Sequence, residues 1–258
     1  MLVRQKTVLV FVCLVVALAS ADIARRHDIA SRDQFFQHLG KIKNAPFSVQ
    51  LRNHSDYIVC AGTLISPQHV LTAAHCFDEC KTSDLKVVAG ASSNTEAGVQ
   101  REISQLFKHD EYNPSTFHND VAVLKLDSPM ELSETVEVIK VCSAPIAAKD
   151  EFQAVVGWLP TKQEHLSITS KMPVMLQDEC IQDAKTEAIE VEITNSMVCN
   201  DPRDRTACSI VAGGAAMCAM REVCGIVVGG SACKNEKFSG VYTNVYEMRD
   251  FIEKSLKA

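Results

Sequence analysis

Beyond Ala19 no stretch of the 258-residue chain is apolar enough to cross a bilayer, which takes about 18 to 20 consecutive apolar residues. The one apolar run, Val8 to Ala19, falls short of that length. It follows Arg4 and Lys6 and leads into the small residues Ala19-Ser20-Ala21, the layout of a cleaved signal peptide over residues 1–21 rather than of a membrane anchor. There is no Cys-x-x-Cys pair, and the histidines near cysteines lack ligand spacing, so a zinc knuckle is not expected. Basic residues are in deficit: once Arg4 and Lys6 leave with the signal, 24 Lys and Arg face 32 Asp and Glu, a net charge of −8. Such a surface argues against nucleic acid or an anionic membrane as the main partner. Internal repeats, low-complexity tracts and Gly/Ser linkers are also absent, which leaves one compact unit as the expected organisation.

Without residues 1–21 the chain has 237 residues, enough to bury a full core, and all-β chains of this size often form a single unit. Of its 11 cysteines ten remain after Cys13 leaves: Cys60, Cys76, Cys80, Cys142, Cys180, Cys199, Cys208, Cys218, Cys224 and Cys233. An even count behind a signal peptide reads as a disulfide framework and a secreted, extracellular destination. Residues 22–45 are polar, carry the basic pair Arg25-Arg26 and show no strand pattern, so this stretch reads as an exposed leader. From Pro46 onward short β-prone runs alternate with turns: Phe47 to Leu51, Thr63 to Ile65, Leu85 to Ala89, Glu102 to Phe107, Val121 to Leu126, Phe152 to Trp158, Cys224 to Val228 and Gly240 to Val245. Strands this short and evenly spaced predict a β-sandwich or barrel. The end differs, because Met248, Phe251, Ile252 and Leu256 recur at helical spacing among Tyr246, Arg249 and Asp250. Asn53-His54-Ser55 is a glycosylation sequon, and a glycan on Asn53 is expected.

Several blocks then stand in a telling order. Cys60-Ala61-Gly62-Thr63-Leu64-Ile65-Ser66 precedes Val70-Leu71-Thr72-Ala73-Ala74-His75-Cys76. Asn119-Asp120-Val121-Ala122-Val123-Leu124-Lys125-Leu126 follows. Next come Val141-Cys142-Ser143-Ala144-Pro145, Val156-Gly157-Trp158, the run from Cys208 to Cys218, Gly225-Ile226-Val227 and Gly240-Val241-Tyr242-Thr243-Asn244-Val245. Together, from about Pro46 to Ile252, they resemble the chymotrypsin/trypsin-like serine proteases, peptidase family S1. The resemblance implies an all-β fold: two six-stranded antiparallel β-barrels, residues 46–141 and 142–245, with the active cleft between them and a C-terminal α-helix over 246–257. It divides the chain into a signal peptide (1–21), a short leader (22–33) and a protease homology domain (34–255). It also implies the disulfides Cys60–Cys76, Cys142–Cys218, Cys180–Cys199 and Cys208–Cys233. Cys80 and Cys224 are left over, and a bond between them, a thiol or a bond to a partner all stay open.

In this family a serine attacks, a histidine takes its proton and an aspartate orients the histidine. His75 and Asp120 match the last two positions, but Cys208-Ser209-Ile210-Val211-Ala212-Gly213-Gly214-Ala215-Ala216-Met217-Cys218 places Ala212 where the serine belongs. A methyl group cannot attack a carbonyl. Ser209 lies three residues before Ala212 and Ser231 on another segment, and neither is expected to reach the base within about 3 Å. Ile210 stands in for the glycine of the oxyanion hole, where its β-branched side chain is expected to restrict the backbone and crowd the scissile bond. Val211 replaces the aspartate that pairs with the N-terminus released on activation. Around Ser31 to Phe36 the Ile-Val-Gly-Gly activation sequence is missing as well. Losing both halves of that pair together avoids stranding a buried charge. Thr206, at the pocket floor, offers no carboxylate to Lys or Arg, and Val228-Gly229-Gly230 removes the aromatic wall. The calcium loop near Ala91 to Gln100 lacks its usual glutamate pair, so neither calcium nor any other cofactor or metal is expected.

The expectation is therefore a secreted, catalytically inactive serine protease homologue that works by binding. The resemblance implies a cofactor, regulator or decoy in extracellular proteolysis, its partners being extracellular proteins such as an active protease, its substrate or an inhibitor. The alternatives are an active secreted endopeptidase with an unrecognised nucleophile, and a carrier that reuses the barrel.

Overall fold

A computed structural model describes residues 40–146, 151–160, 164–175, 177–186, 192–200, 210–218, 221–228 and 240–258. The signal peptide and residues 22–39 of the leader lie outside these residues, as do Ser209, Thr206, Ser231, Cys208 and Cys233. Residues 40–45, read from the sequence as the end of an exposed leader, instead form a short turn of 3₁₀ helix (Ile42–Asn44) whose Ile42, with Ala45, is buried in the core, because apolar side chains gain by leaving water.

Thirteen strands and two α-helices are described. The first barrel comprises β1 (Ser48–Asn53), β2 (Ile58–Ser66), β3 (His69–Thr72), β4 (Leu85–Ala89), β5 (Val99–Lys108) and β6 (Ala122–Leu126). They close in the order β1-β2-β3-β6-β5-β4, all neighbours antiparallel. The second set is β7 (Lys140–Val141), β8 (Glu151–Trp158), β9 (Leu166–Met175), β10 (Met197–Asn200), β11 (Ala215–Cys218), β12 (Glu222–Val227) and β13 (Val241–Asn244). Here β11-β8-β9-β10-β13-β12 closes through β11–β12 pairing, and the two-residue β7 adds to β12 in parallel. The two six-stranded antiparallel barrels expected from the resemblance are thus present, with one short parallel strand added.

Closure follows from which residues are apolar. Val49, Leu51, Leu64, Val70, Leu71, Val87, Val123, Leu124 and Leu126 are fully buried on the strands of the first barrel. Phe152, Val155, Val156, Trp158, Leu166, Ile226, Val227 and Tyr242 do the same in the second, where the Phe152 and Tyr242 rings meet edge to face with centroids 5.0 Å apart. On β5 the outward residues Gln100, Glu102 and Ser104 alternate with half-buried Val99, Arg101 and Ile103, the period of a strand with one wet face. The buried Trp158 indole donates to the Ser92 carbonyl (3.2 Å), joining the second barrel to the loop after β4.

That loop closes over an unexpected cation. Arg52 is 2% exposed, and its guanidinium donates to the carbonyls of Ser93 and Glu96, both at 2.9 Å, and to Gln50 Oε1. A buried guanidinium is tolerable because most of its N–H groups are paired. The neighbouring turn Asn53 to Tyr57 joins β1 to β2 and carries the sequon; Asn53 Oδ1 accepts from the Ser55 and Tyr57 N–H groups.

Two features depart from the sequence reading. An α-helix, α1 (Gln177–Thr186), stands between β9 and β10, with Asp178 and Glu179 in its first turn and Lys185 in its last, both favourable to the helix dipole. The C-terminal helix, α2, runs Arg249–Leu256 rather than 246–257, and residues 245–248 form turns that deliver buried Met248 to the same core as Ile252. No helix among the described residues is long and apolar enough to cross a membrane.

The β2–β3 hairpin holds a histidine that resists protonation. His69 Nδ1 is 2.8 Å from Ser66 Oγ, its Nε2 is buried without a partner, and Lys125 lies across the strand pair. Burial first, and then the Lys125 charge, lower its pKa below 6.5. The unfolded chain therefore binds a proton that the folded one refuses. The stability that a neutral His69 secures is complete above pH 6.5 and declines as the pH falls through that value. Urea unfolding at pH 7.5 and 5.5 should show a loss on acidification that shrinks in His69→Gln; an unchanged loss would show that other groups carry it.

Candidate active-site cleft

The first barrel supplies a histidine–aspartate pair. β3 ends at Thr72 and the chain turns into a short 3₁₀ helix, Ala74–Phe77, that carries His75. A disulfide between Cys60 on β2 and Cys76 fixes this turn to the sheet. Asp120 immediately precedes Val121 and β6, has no exposed surface, and accepts from the His75 backbone N–H at 2.9 Å. Its second oxygen, Oδ2, lies 2.6 Å from His75 Nδ1. A carboxylate oxygen accepts, so in this hydrogen bond His75 Nδ1 is the donor. The His75 side chain is 21% exposed. The hydroxyl of Thr243, on β13 of the second barrel, donates to the Asp120 carbonyl at 2.8 Å.

The second barrel supplies the loop that in the resemblance should hold a nucleophile. Ala212 is half-buried, and its carbonyl accepts from the Ala61 N–H at 2.7 Å, across from the other barrel. Gly213 donates to the Val227 carbonyl and Gly214 accepts from the Val227 N–H, both at 2.8 Å. Gly213 has φ of +81°, and a Cβ there would lie 2.1 Å from the Ala61 oxygen and 2.6 Å from Thr72 Oγ1. Only glycine allows the loop to lie this close to β2 and β3. The fold thus brings the loop of Ala212 and Gly213 against β2 and the end of β3, the strand that leads into the His75 turn.

Ile210 corrects an expectation. Its side chain does not crowd the cleft: it is 4% exposed and packs inward, where a Cβ on Gly157 would lie 2.8 Å from Ile210 Cδ1 and one on Gly214 3.5 Å away. Two glycines leave a socket, and burying the isoleucine in it contributes about 2 kcal/mol. Val211 is half-buried, and its N–H donates to the Trp158 carbonyl at 2.8 Å. The loop interior behind Ala212 is therefore apolar, supplied by the loop itself.

The disulfides need a second correction. Cys60–Cys76 and Cys180–Cys199 are joined, but Cys218 pairs with Cys224, not with Cys142. The β11–β12 hairpin sets Cys218 opposite Glu222 and so carries Cys224 close by. Cys142 is buried beside them, its thiol donating to the Ala144 carbonyl at 3.0 Å, and Cys80 is half-buried outside the disulfides. Cys224, unassigned from the sequence, thus takes the place expected of Cys142. The pocket-floor residue Thr206 lies outside the described residues, while Val228 is buried beside Val241.

Some neighbours of the site carried no signal in the sequence. Phe117, in a left-handed conformation (φ 57°), sets its ring edge-on to His75 with centroids 5.6 Å apart. Tyr112 donates to Asp78 Oδ2 at 2.7 Å, and Lys108 pairs with Asp78 Oδ1 at 2.8 Å. Burial, then the hydrogen bond to Asp78 and the Asp120 and Asp78 charges, push the Tyr112 hydroxyl well above its ordinary range, so it remains a donor. The contacts depend on loop paths that no local pattern encodes.

The family model for Trypsin matches residues 36–252. The chain belongs to the trypsin family. Among relatives, this trypsin-family chain is 32% identical over 219 residues to Seminase of Drosophila melanogaster, covering 82% of this chain and 77% of that protein. It is 30% identical over 221 residues to Trypsin of Sarcophaga bullata, covering 84% and 86%. In fold it is similar to the inactivated protease paralogue S-D1 of the scabies mite, with a TM-score of 0.75, 21% identity, and coverage of 85% of this chain and 96% of that one.

The clearance at Gly213 sets a test of the trypsin-like clamp between barrels. Gly213→Ala should destabilise the domain by about 2–4 kcal/mol in urea unfolding, since it adds both backbone strain and a clash. A loss under about 0.5 kcal/mol, the size of an ordinary surface change, would show that the loop can move away from Ala61 freely.

Proposed function

We propose that this trypsin-family protein is a secreted, catalytically inactive homologue that acts by binding proteins in extracellular proteolysis, as a cofactor, regulator or decoy. The observation that carries this reading is Ala212: the residue at the position that the family resemblance assigns to the nucleophile has a methyl side chain, with no atom that can form an acyl bond. The apolar packing of Ile210 and the valine at 211 support it, because the loop holds no carboxylate for a released N-terminus to pair with. The disulfides and the signal-like start support export to an oxidising compartment. A protein that keeps the barrels and has alanine at the nucleophile position acts on polypeptide by binding it.

A fluorophosphonate probe, which captures activated serines, should leave the purified mature protein unlabelled. Ala212→Ser should also show no turnover of peptide amides above background, since a hydroxyl alone does not rebuild the loop. Covalent capture of any serine in the wild-type chain would sink the inactive reading, and amidolysis by the variant would show that the rest of the machinery is still organised. Cross-linking in the native secretion should then recover an active protease, its substrate or an inhibitor. Recovery of only a lipid or other small ligand would favour a carrier instead.

A further inference from the structure

The fold sets an exposed aromatic ring directly opposite the asparagine of the sequon Asn53-His54-Ser55. β1 ends at Asn53 and β2 begins at Ile58, and Arg52 is the partner of Ile58 across the ladder. Arg52 and Ile58 are both buried, so the next pair along, Asn53 and Tyr57, turns to the outer face of the hairpin. The Asn53 N–H donates to the Tyr57 carbonyl at 3.0 Å. Asn53 Oδ1 accepts from the Tyr57 N–H at 3.1 Å and from the Ser55 N–H at 2.9 Å. With Oδ1 engaged twice, Nδ2, the atom that carries an N-linked sugar, lies on the other side of the amide carbon.

Ion pairs hold the turn as well. Asp56, in a left-handed conformation (φ 61°), sets Oδ1 2.8 Å from Lys86 Nζ on β4 and 3.8 Å from Arg52 Nη1. Its N–H donates to the Asn53 carbonyl at 3.0 Å. Asn53 and Tyr57 are therefore fixed relative to each other before any ligand arrives, which lowers the entropy lost on binding one. Tyr57 is 64% exposed, more than Leu132 at 52% or Val138 at 41%. A single exposed ring is ordinary; its register opposite a sequon asparagine is what points to a ligand. Directly opposed residues have Cβ atoms about 5 Å apart, so a sugar on Asn53 begins within reach of the ring.

We propose that Tyr57 is a carbohydrate platform whose ring face seats the first N-acetylglucosamine of an N-glycan on Asn53. A pyranose presents C–H groups on one face, and stacking them on the ring takes apolar surface of both out of water. This role requires an occupied sequon and is independent of the chemistry at Ala212. The linkage forms when Asn53 Nδ2 attacks the anomeric carbon of an oligosaccharide carried on a lipid diphosphate. The carbon–nitrogen bond forms, the carbon–oxygen bond to the diphosphate breaks, the lipid diphosphate leaves and Nδ2 gives up one proton. Once seated, the sugar ties the end of β1 to the start of β2 across the turn that lies over Arg52.

The test uses the full chain secreted from insect cells grown with a mannosidase inhibitor, so that an endoglycosidase trims the glycan to one N-acetylglucosamine. Peptide mapping should find that sugar on Asn53; an unmodified Asn53 in the secreted chain overturns the proposal by removing its ligand. Ser55→Ala supplies the sugar-free form and keeps the backbone N–H that bonds Asn53 Oδ1. Removal of the whole glycan with a glycoamidase supplies it if that variant is not secreted. Nitration by tetranitromethane then reports the ring: Tyr57 in the one-sugar form should react at least about fivefold more slowly than in the sugar-free form. Half-buried Tyr246 should react at one rate in both. In urea the sugar should raise the unfolding midpoint of the wild-type chain and leave that of Tyr57→Ala where it stands without sugar. Equal nitration of Tyr57 with and without the sugar, or a midpoint gain that survives in Tyr57→Ala, overturns the platform and leaves the glycan in place.

Discussion

A carboxylate with no access to water ties this molecule together. Burying the ionised Asp120 costs several kcal/mol unless its oxygens are paired, and His75 pairs both, one through its backbone N–H and one through its ring. Thr243 reaches across from the second barrel to the carbonyl of the same residue. Three elements distant in sequence are thereby set against each other: the turn after β3, the approach to β6, and β13. The arrangement retains this value whether or not a nucleophile faces it, so a histidine–aspartate pair in a chain that carries Ala212 is physically intelligible as architecture.

The loop from Ile210 to Gly214 completes that architecture by a different kind of force. Gly213 permits an approach to Ala61 that no side chain could survive, the Ala61–Ala212 hydrogen bond spans the two barrels, and Ile210 fills the space that Gly157 and Gly214 leave open. A polar catalytic loop has to bury charge and then neutralise it. An apolar interior needs no ionic partner, so the loop can hold its shape with no charge contributed from elsewhere in the chain.

Much of this was legible in order of local strength. Leu85–Ala89 was read from the sequence with the bounds it has in the fold, because a β-branched run between turn residues encodes its own period. The pair His75 and Asp120 was legible from the blocks around them. β9, β10 and α1 were not, since β9 mixes Ser, Lys and Pro with its apolar residues and α1 buries only Cys180 and Ala184 among its described side chains. Ile210 was assigned the right loop and the wrong direction, because inward or outward depends on glycines at 157 and 214 that are remote in the chain or silent about geometry. Phe117 and the Tyr112–Asp78–Lys108 group were invisible, being products of loop path.

The sequence by itself determined the repertoire: barrel-forming strands, a histidine and aspartate in family context, the missing hydroxyl at 212, and cysteines enough for a disulfide framework. Those are properties of residue type and local spacing. Tertiary structure alone decided that Ile210 faces inward, that Arg52 is enclosed by carbonyls, and that Cys218 meets Cys224 with Cys142 at hand. Each of these depends on which distant backbone comes within a few ångströms, a quantity set by strand register and barrel closure.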